Sequence, residues 1–392
     1  MTSTTTSIPV HPAGMNAVNV HIDWIHIYAP CEHLPTGQLF YLDDDGLDQL
    51  VPTGATRNTK TFRDGCKKAY VHSKEINGRT GMASMIEVQC CPPKVLQRHN
   101  LFGHGDLQAY VYAILDYVTR RHGINVRPED RASWLKGHVT LTCIHLTANF
   151  GRPFGMSIPI IQAIDESRNS HKNRALPSWI TLNGATARRS TFDVLTVYDK
   201  RLEMLSHTAW KKPGPFQSML LAEANRGIRV ELKLFSDSLK YYGLGYVNRW
   251  VGVDIAALYF DYLDKYDLCY AIQRLLTEDE LACLTRAERK AYTLWLKGVD
   301  LKEVYCRTTA WKLAKAILDK TDINVKGHRR PDKLPALDLR DIFTPENVLP
   351  VPSWAHGTEC YVAPRGYGIS RVPVDRSAVD FDYLETASWT DT

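Results

Sequence analysis

Residues 137–147 read Gly-His-Val-Thr-Leu-Thr-Cys-Ile-His-Leu-Thr, and this stretch decides the fold class. Its apolar and polar residues alternate, which is typical of a β-strand with one buried face. Strict alternation places Val139, Leu141 and Cys143 on that face and continues it to His145. A histidine that enters a buried sheet face needs a hydrogen-bond partner or a metal ion. The strand alone therefore leaves two interpretations of His145, a hydrogen-bonded core residue and a ligand.

Similar strand-like stretches lie on both sides of this one. They cover residues 18–28, 81–91, 192–198 and 228–235. Helical patterns lie between them and predict helices over 106–121, 160–167 and 201–205. Strands interleaved with helices over 18–245 predict one α+β sheet domain.

The pattern becomes helical from about residue 251. Thr277 and Thr285 each begin a Thr-x-x-Glu sequence, which is typical of the start of a helix. A short helix over 301–305 and a longer one over 309–318 make a helix-turn-helix candidate, and a plain helical hairpin is the alternative. In a recognition helix, the side chains directed toward DNA are expected to be Thr309, Lys312 and Lys315, and those packed inward Trp311, Leu313, Ala314 and Ile317.

These patterns divide the chain into four parts. We expect a flexible segment over 1–14, a sheet domain over 15–250 and a helical region over 251–324. Five prolines between 331 and 352 break any helix, so residues 325–392 are predicted to form an extended tail that lies partly on the body.

Composition excludes some classes of protein but does not choose a function. The 392 residues are 44% hydrophobic and 23% charged, with a formal net charge of +5, which permits nucleic-acid binding without indicating it. Nine scattered cysteines without a Cys-x-x-Cys motif argue against a disulfide framework. We find neither a signal peptide nor an apolar run long enough to span a membrane, so a cytoplasmic protein is expected.

A tyrosine near several cations is the first candidate for catalysis. Tyr198 ends the strand at 192–198, Lys200 follows it, and Arg188 and Arg189 precede the strand. A phenol has a pKa near 10, so neighbouring positive charge would help it act as a nucleophile. Packing in the core is the alternative role of this tyrosine.

The strand over 228–235 alternates apolar residues with Arg229, Glu231 and Lys233. Glu231 is a candidate ligand for a hard cation, and the two basic residues are candidates for binding phosphate. A solvated, charged strand face is the alternative.

Taken in order, these residues resemble the gene II protein type of filamentous-phage replication initiators. The most specific stretch is Pro92-Pro93-Lys94-Val95-Leu96-Gln97-Arg98-His99-Asn100-Leu101-Phe102-Gly103, followed by Asp106-Leu107. The Arg-x-Glu strand at 229–231, Tyr198 and the helical stretch over 295–323 also resemble that family. The similarity extends over about residues 18–355.

The resemblance implies a nuclease-type antiparallel sheet domain with packed helices, and a protein that nicks one DNA strand through Tyr198 and later rejoins it. It implies a divalent cation, Mg²⁺ with Mn²⁺ as the alternative. Many such initiators have two histidines around one apolar residue, whereas His145 stands alone between Ile144 and Leu146. We therefore take Asp23, Glu87 and Glu231 as the other candidate ligands, and Lys94 and Arg98 as further DNA contacts.

The implied partners are double-stranded circular DNA at the replication origin and the displaced single strand. A host helicase and polymerase are expected as well, with oligomerisation on DNA, in the cytoplasm of a bacterial host. Two other functions stay open at this point. One is an origin-binding regulator without catalysis, and the other is a metal-dependent phosphodiesterase that uses water instead of Tyr198.

Overall fold

The computed structural model describes residues 18–35, 39–42, 48–51, 69–167, 174–176, 178–183, 192–207, 210, 214–266, 268, 275–297, 299–321, 323, 325 and 339–362. Its strands are β1 (His21–His33), β2 (Leu39–Leu42), β3 (Asp48–Val51), β4 (Ala69–Ile76), β5 (Ala83–Cys90), β6 (Thr140–Gly151), β7 (Arg174–Leu176), β8 (Trp179–Asn183), β9 (Asp193–Tyr198) and β10 (Gly227–Phe235). Its helices are α1 (Pro92–Gln97), α2 (Leu107–Arg121), α3 (Pro128–Leu135), α4 (Ser157–Ser167), α5 (Lys200–Ser206), α6 (Pro215–Ala224), α7 (Ser236–Tyr241), α8 (Ile255–Tyr266), α9 (Glu278–Cys283), α10 (Arg286–Leu296), α11 (Leu301–Val304) and α12 (Arg307–Thr321).

Within these ranges, eight strands form one sheet in the order β4-β5-β1-β6-β10-β9-β8-β7. All neighbouring pairs are antiparallel. Strands β2 and β3 pair separately with each other. The predicted α+β class is confirmed, and each strand-like stretch of the sequence lies in this sheet.

One face of the sheet is covered by helices. Along β10, Ile228, Val230, Leu232 and Leu234 are all buried in the main hydrophobic core. Helices α2 and α8 supply the facing apolar side chains, among them Ile114 of α2. Each such side chain stabilises the fold by roughly 1.5–3 kcal/mol when it is fully buried. The opposite face carries the alternate residues of the same strands, and these are largely polar.

Two bulges change which side chains share a face. In the pairing of β1 with β6, Ile22 faces Leu146 and Trp24 faces His145, so Asp23 is an extra residue on β1. An extra residue shifts the alternation of a strand by one position.

The second bulge lies on β6. His26 faces Cys143 and Ile27 faces Leu141, so Thr142 is the extra residue. Leu141 therefore lies in the main core together with Ile144, whereas His145 lies on the other face. The predicted single face from Val139 to His145 is wrong, because strict alternation ends at the bulge.

The predicted helix starts have clear local causes. Asp106 caps α2 by accepting a hydrogen bond from the backbone N–H of Ala109 at 3.0 Å. Thr277 and Thr285 form the two predicted capping boxes, at the beginnings of α9 and α10.

The helical region begins later than the sequence predicts. Helix α8 packs on the sheet, since Leu258, Tyr259, Tyr262 and Leu263 belong to the main core. A separate hydrophobic cluster runs from Leu276 to Val325 and is formed by α9–α12. Apolar periodicity marked α8 as a helix but did not show which core its apolar side belongs to.

Residues 339–362 lie on the sheet domain. Leu339, Ile342 and Phe343 join the main core. Val348 forms a bridge to Phe150 in β6, and the imidazole of His99 donates to the carbonyl of Cys360 at 2.7 Å. This part of the tail therefore covers residues near the end of β6 and after α1.

No helix in the described ranges is both long and apolar enough to cross a membrane.

Candidate active site

The bulge in β1 provides the first carboxylate of the candidate site. Because Asp23 is an extra residue, its side chain and that of Trp24 can both reach the polar face of the sheet. The Trp24 ring stacks on the imidazole of His145, with centroids 6.1 Å apart and planes inclined by 28°. Asp23 lies next to the same imidazole.

Asp23, His145 and Glu231 form a compact group of potential metal ligands. They lie on the adjacent strands β1, β6 and β10, and their ligand atoms are all within 4.8 Å of one another. His145 Nδ1 is 2.9 Å from Glu231 Oε1. Two carboxylates and one imidazole, with water in the remaining positions, suit Mg²⁺ or Mn²⁺. Three of the four predicted ligands are thus brought together.

Nearby positive charge keeps both carboxylates ionised. Burial raises the pKa of Glu231, but the hydrogen bond with His145 and the charges of Lys233 and Arg229 hold it well below its usual range. Burial also raises the pKa of Asp23, and the charge of Arg229 offsets this and leaves the pKa lowered. The ionised carboxylate is the form that binds a hard cation.

Three neighbours hold one oxygen of Asp23. Its Oδ1 accepts a hydrogen bond from Asn100 Nδ2 at 2.7 Å and lies 3.1 Å from the guanidinium of Arg229. The thiol of Cys91 donates to the same oxygen at 3.4 Å. The other oxygen of Asp23 is therefore the one available to a cation. Contacts of this kind fix the orientation of a metal ligand and tune its affinity.

The specific motif at residues 92–103 forms this support. Its Asn100 binds Asp23 through the side chain and accepts a hydrogen bond from Arg229 through the backbone carbonyl. Gly103 sits where no side chain fits, because a Cβ would lie 3.0 Å from ring carbons of His21 and Pro93. Sequence reasoning identified the motif but missed this role, and only its unusual composition pointed to the segment.

Tyr198 places a phenol at the edge of the ligand group. It is the last residue of β9, and its hydroxyl donates to Glu231 Oε2 at 3.2 Å. Burial raises the pKa of Tyr198 well above its usual value; Arg229 lowers it and the charge of Glu231 raises it further. The phenol is therefore protonated at neutral pH in this arrangement.

Lys200 begins the helix that follows Tyr198. Its ammonium lies 5.9 Å from the centre of the Tyr198 ring and 2.5 Å from Glu203 Oε2. Burial, reinforced by the charge of Arg229 and opposed by that of Glu203, lowers the pKa of Lys200 to about 8. Glu203 is a second contributor that sequence reasoning missed.

Comparison with known proteins identifies the family. Residues 21–252 match the family described as the N-terminal part of a phage replication-associated protein. The chain belongs to this family. The replication-associated protein of Enterobacteria phage I2-2 is 23% identical over 301 residues, which is 76% of this chain and 85% of the relative. No solved structure matches the chain. The resemblance to the gene II protein type is thereby confirmed.

The family match includes the whole candidate site. Asp23, His145, Tyr198, Lys200 and Glu231 all lie within residues 21–252, whereas α9–α12 lie beyond them.

Glu87, the fourth predicted ligand, lies apart from this group. It binds His26 at 2.7 Å and Lys74 at 3.1 Å, on the side of β1 away from β6. Its carboxylate is not among the ligand atoms that converge on His145.

The predicted DNA contacts of the sheet domain are spread over several positions. Arg229 is fully buried and paired with Asp23, so it supports the ligand group and is not a surface contact for phosphate, as we predicted. Lys94 is half-buried in α1, and its charge helps to lower the pKa of Asp23. Lys233 is half-exposed 3.4 Å from Glu231, and Arg98 is exposed. Arg188 and Arg189 lie outside the described residues.

The predicted DNA contacts of the helical region lie on α12. Thr309, Lys312 and Lys315 are exposed as expected. Trp311 is 52% exposed, so the prediction that it packs inward is wrong. Instead the ammonium of Lys315 lies 5.4 Å from the centre of its ring. Trp311 and Lys315 are four residues apart and therefore share one helix face.

Proposed function

We propose that this chain initiates rolling-circle replication by nicking one strand of a circular DNA through Tyr198 and later rejoining it. The observation that carries the proposal is the hydrogen bond from the Tyr198 hydroxyl to Glu231, within the Asp23–His145–Glu231 group. A protein that only binds an origin needs no such convergence. A phosphodiesterase that uses water needs the ligand group but not the tyrosine. Membership of a replication-associated family supports the same choice.

The proposed nicking step is a displacement at phosphorus. The phenol oxygen of Tyr198 forms a bond to the phosphorus, and the bond from phosphorus to the 3′ oxygen breaks. Glu231 Oε2 accepts the phenol hydrogen bond, so it is the nearest acceptor for the proton, and the 3′ oxygen takes a proton from solvent. The products are a 5′-phosphotyrosine and a free 3′-hydroxyl for the host polymerase, on a duplex that a host helicase opens.

The protein's own residues prepare this step in two ways. Asn100 and Arg229 hold Asp23 in place, and Glu231 orients the phenol oxygen toward the ligand group. A divalent cation held by Asp23, His145 and Glu231 would stabilise negative charge on the phosphate oxygens and offset the carboxylate charge that raises the pKa of the phenol.

Rejoining is the same reaction in reverse. A 3′-hydroxyl attacks the phosphotyrosine, and the phenol of Tyr198 leaves and regains its proton. Covalent storage preserves the energy of the phosphodiester, which hydrolysis by water would lose.

We further propose that the exposed face of α12 binds duplex DNA near the origin. Lys312 and Lys315 supply positive charge to phosphates, and Thr309 lies at the N-terminal end of the same helix. Replacing both lysines with alanine is expected to weaken duplex binding and to reduce its salt dependence, with a change in slope of about two. Cleavage of a short single-stranded oligonucleotide is expected to change much less. Equal loss in both assays would contradict a separate DNA-binding role for α12.

The experiment for the main proposal uses the full-length chain and the supercoiled circular genome that encodes it. With Mg²⁺ present, we expect nicked circles whose 5′ end is blocked by protein and whose 3′ end a polymerase extends. Nicked circles with free 5′-phosphates would favour hydrolysis by water. Tight binding of the circle without any nick would favour the non-catalytic regulator.

A further inference from the structure

Glu87 organises a second cluster on the polar face of the sheet. Its Oε1 accepts hydrogen bonds from His26 Nε2 at 2.7 Å, Tyr28 Oη at 3.1 Å and Gln89 Nε2 at 3.0 Å. Its Oε2 pairs with Lys74 Nζ at 3.1 Å. The carboxylate itself is buried, whereas the four side chains that it binds are half-exposed. Glu87 therefore fixes a patch of ring, amide and ammonium groups that solvent can reach.

The patch continues directly into the candidate active site. Trp24, His26 and Tyr28 occupy alternate positions of β1, so their rings lie on one face. The Trp24 ring stacks on His145, and the rings of His26 and Tyr28 are 5.1 Å apart. From Trp24 to Tyr28 the strand advances about 13 Å, which is long enough for a few stacked bases. A row of rings thus leads away from the ligand group.

The side of the sheet on which this row lies is informative. The strand order is β4-β5-β1-β6-β10-β9, so the ligand group on β1, β6 and β10 separates the row from Tyr198 on β9. In a displacement at phosphorus, the attacking and leaving oxygens lie roughly in line on opposite sides. If Tyr198 attacks from the β9 side, the 3′ oxygen leaves toward β1.

We propose that the face formed by Trp24, His26, Tyr28 and Lys74 binds the single-stranded DNA on the 5′ side of the nick, the product that carries the free 3′-hydroxyl. This inference rests on the proposed function. Aromatic rings stack on bases without regard to sequence, and the ammonium of Lys74 is opposite in charge to the DNA backbone. Glu87 is then a positioning residue of this face, which is a different role from the ligand that its sequence suggested.

The test measures binding of three labelled oligonucleotides to the full-length protein without Mg²⁺. One spans the mapped nick, one ends at it with a 3′-hydroxyl, and one begins at it with a 5′-phosphate. Tyr28→Leu is expected to weaken binding of the 5′-side oligonucleotide by about tenfold, a typical effect of losing one stacked base, and to leave the 3′-side oligonucleotide unchanged.

Two further variants make the test specific. Tyr28→Phe keeps the ring and loses only the bond to Glu87, so it should bind within about threefold of the wild type. Tyr241→Leu is the matched control, because Tyr241 is an exposed tyrosine on α7, and it should change neither affinity. Thermal unfolding of each variant shows whether the fold is retained.

The proposal is overturned if Tyr28→Leu folds normally and binds the 5′-side oligonucleotide as the wild type does, or weakens both halves equally. Preferential loss of duplex binding would also overturn it. Binding requires no nicking, so this result is independent of whether Tyr198 is the nucleophile.

Discussion

Two clusters on the same sheet face contain the same four types of residue. His145, Glu231, Tyr198 and Lys233 form the first, which we call the Glu231 cluster, and His26, Glu87, Tyr28 and Lys74 form the second, the Glu87 cluster. The distance from histidine to glutamate is 2.9 Å in the first and 2.7 Å in the second. The distance from the tyrosine hydroxyl is 3.2 Å and 3.1 Å. Residue types and distances alone do not distinguish them.

The difference is the second carboxylate. Asp23 reaches His145 and Glu231 only because of the bulge in β1, and it adds negative charge that a cation can balance. In the Glu87 cluster, Lys74 lies 3.1 Å from the carboxylate and already balances its charge, and Gln89 adds a further hydrogen bond. Burial raises the pKa of Glu87, but these hydrogen bonds together with that of His26 hold it well below its usual range. A saturated carboxylate gains little from a metal ion.

The largest expected effect comes from removing a single oxygen in each cluster. Tyr198→Phe should abolish nicking of the supercoiled genome, because only the nucleophile is lost, while DNA binding stays near that of the wild type. Tyr28→Phe removes the equivalent hydroxyl from the Glu87 cluster and should nick at close to the normal rate. Gel analysis of nicked circles over time measures both. Equal activity of the two variants would erase the distinction between the clusters.

The next largest effect separates the two glutamates by their response to metal. Glu231→Gln and His145→Ala should each raise the Mg²⁺ concentration needed for half-maximal nicking by about tenfold or more, because a neutral amide or a missing imidazole binds a cation poorly. Glu87→Gln is the matched control and should leave that concentration unchanged. A shifted Mg²⁺ titration in Glu87→Gln would return Glu87 to the set of ligands.

A smaller effect is expected from the residues that hold the carboxylates. Asn100→Ala removes the 2.7 Å hydrogen bond to Asp23 and should weaken Mg²⁺ activation by roughly tenfold, the lower end of the effect of such supporting contacts. Gln89→Ala removes the 3.0 Å hydrogen bond to Glu87 and should not alter it. Isothermal titration with Mn²⁺ gives the same comparison without activity. Identical affinities in Asn100→Ala and the wild type would show that Asp23 needs no support from this residue.

The smallest expected effect is a change in pH dependence. The charge of Lys200 near the Tyr198 ring favours negative charge on the phenol, and its pKa of about 8 means that this charge is lost as the pH rises through that value. Nicking should therefore decline above pH 8 by a few-fold. Lys200→Arg keeps its charge at this pH, since a guanidinium has a pKa above 12, and the decline should disappear. Rates from pH 7 to pH 9.5 measure it; an identical decline in both proteins would exclude Lys200 as its cause.

The sequence predicted the fold class and most elements because their periodicity is local. It predicted Tyr198, His145, Glu231 and Asp23, but it could not separate Glu231 from Glu87, since both are acidic residues on strands. That separation depends on the register of β1, β5 and β6 and on the bulge at Asp23, which no local pattern reveals. Register is a property of paired strands, and here the paired residues lie more than 60 positions apart.

Other errors have the same kind of cause. Arg229 looked like a surface cation because it alternates with apolar residues, but the motif around Asn100 covers that end of β10. Trp311 looked like a core residue because it is large and apolar, yet Ala310, Ala314 and Ile317 form the buried side of α12. Spacing along one element cannot show what packs over it.

The contact between His99 and Cys360 sets a timetable for the newly made protein. These residues are 261 positions apart, and Val362 also donates its backbone N–H to Gln97 at 3.1 Å. A bacterial ribosome adds roughly 5–20 residues each second. The segment around Asn100 therefore emerges on the order of ten to fifty seconds before the residues that cover it are synthesised. During that interval a growing chain can contain every strand of the sheet and still lack the layer over its floor.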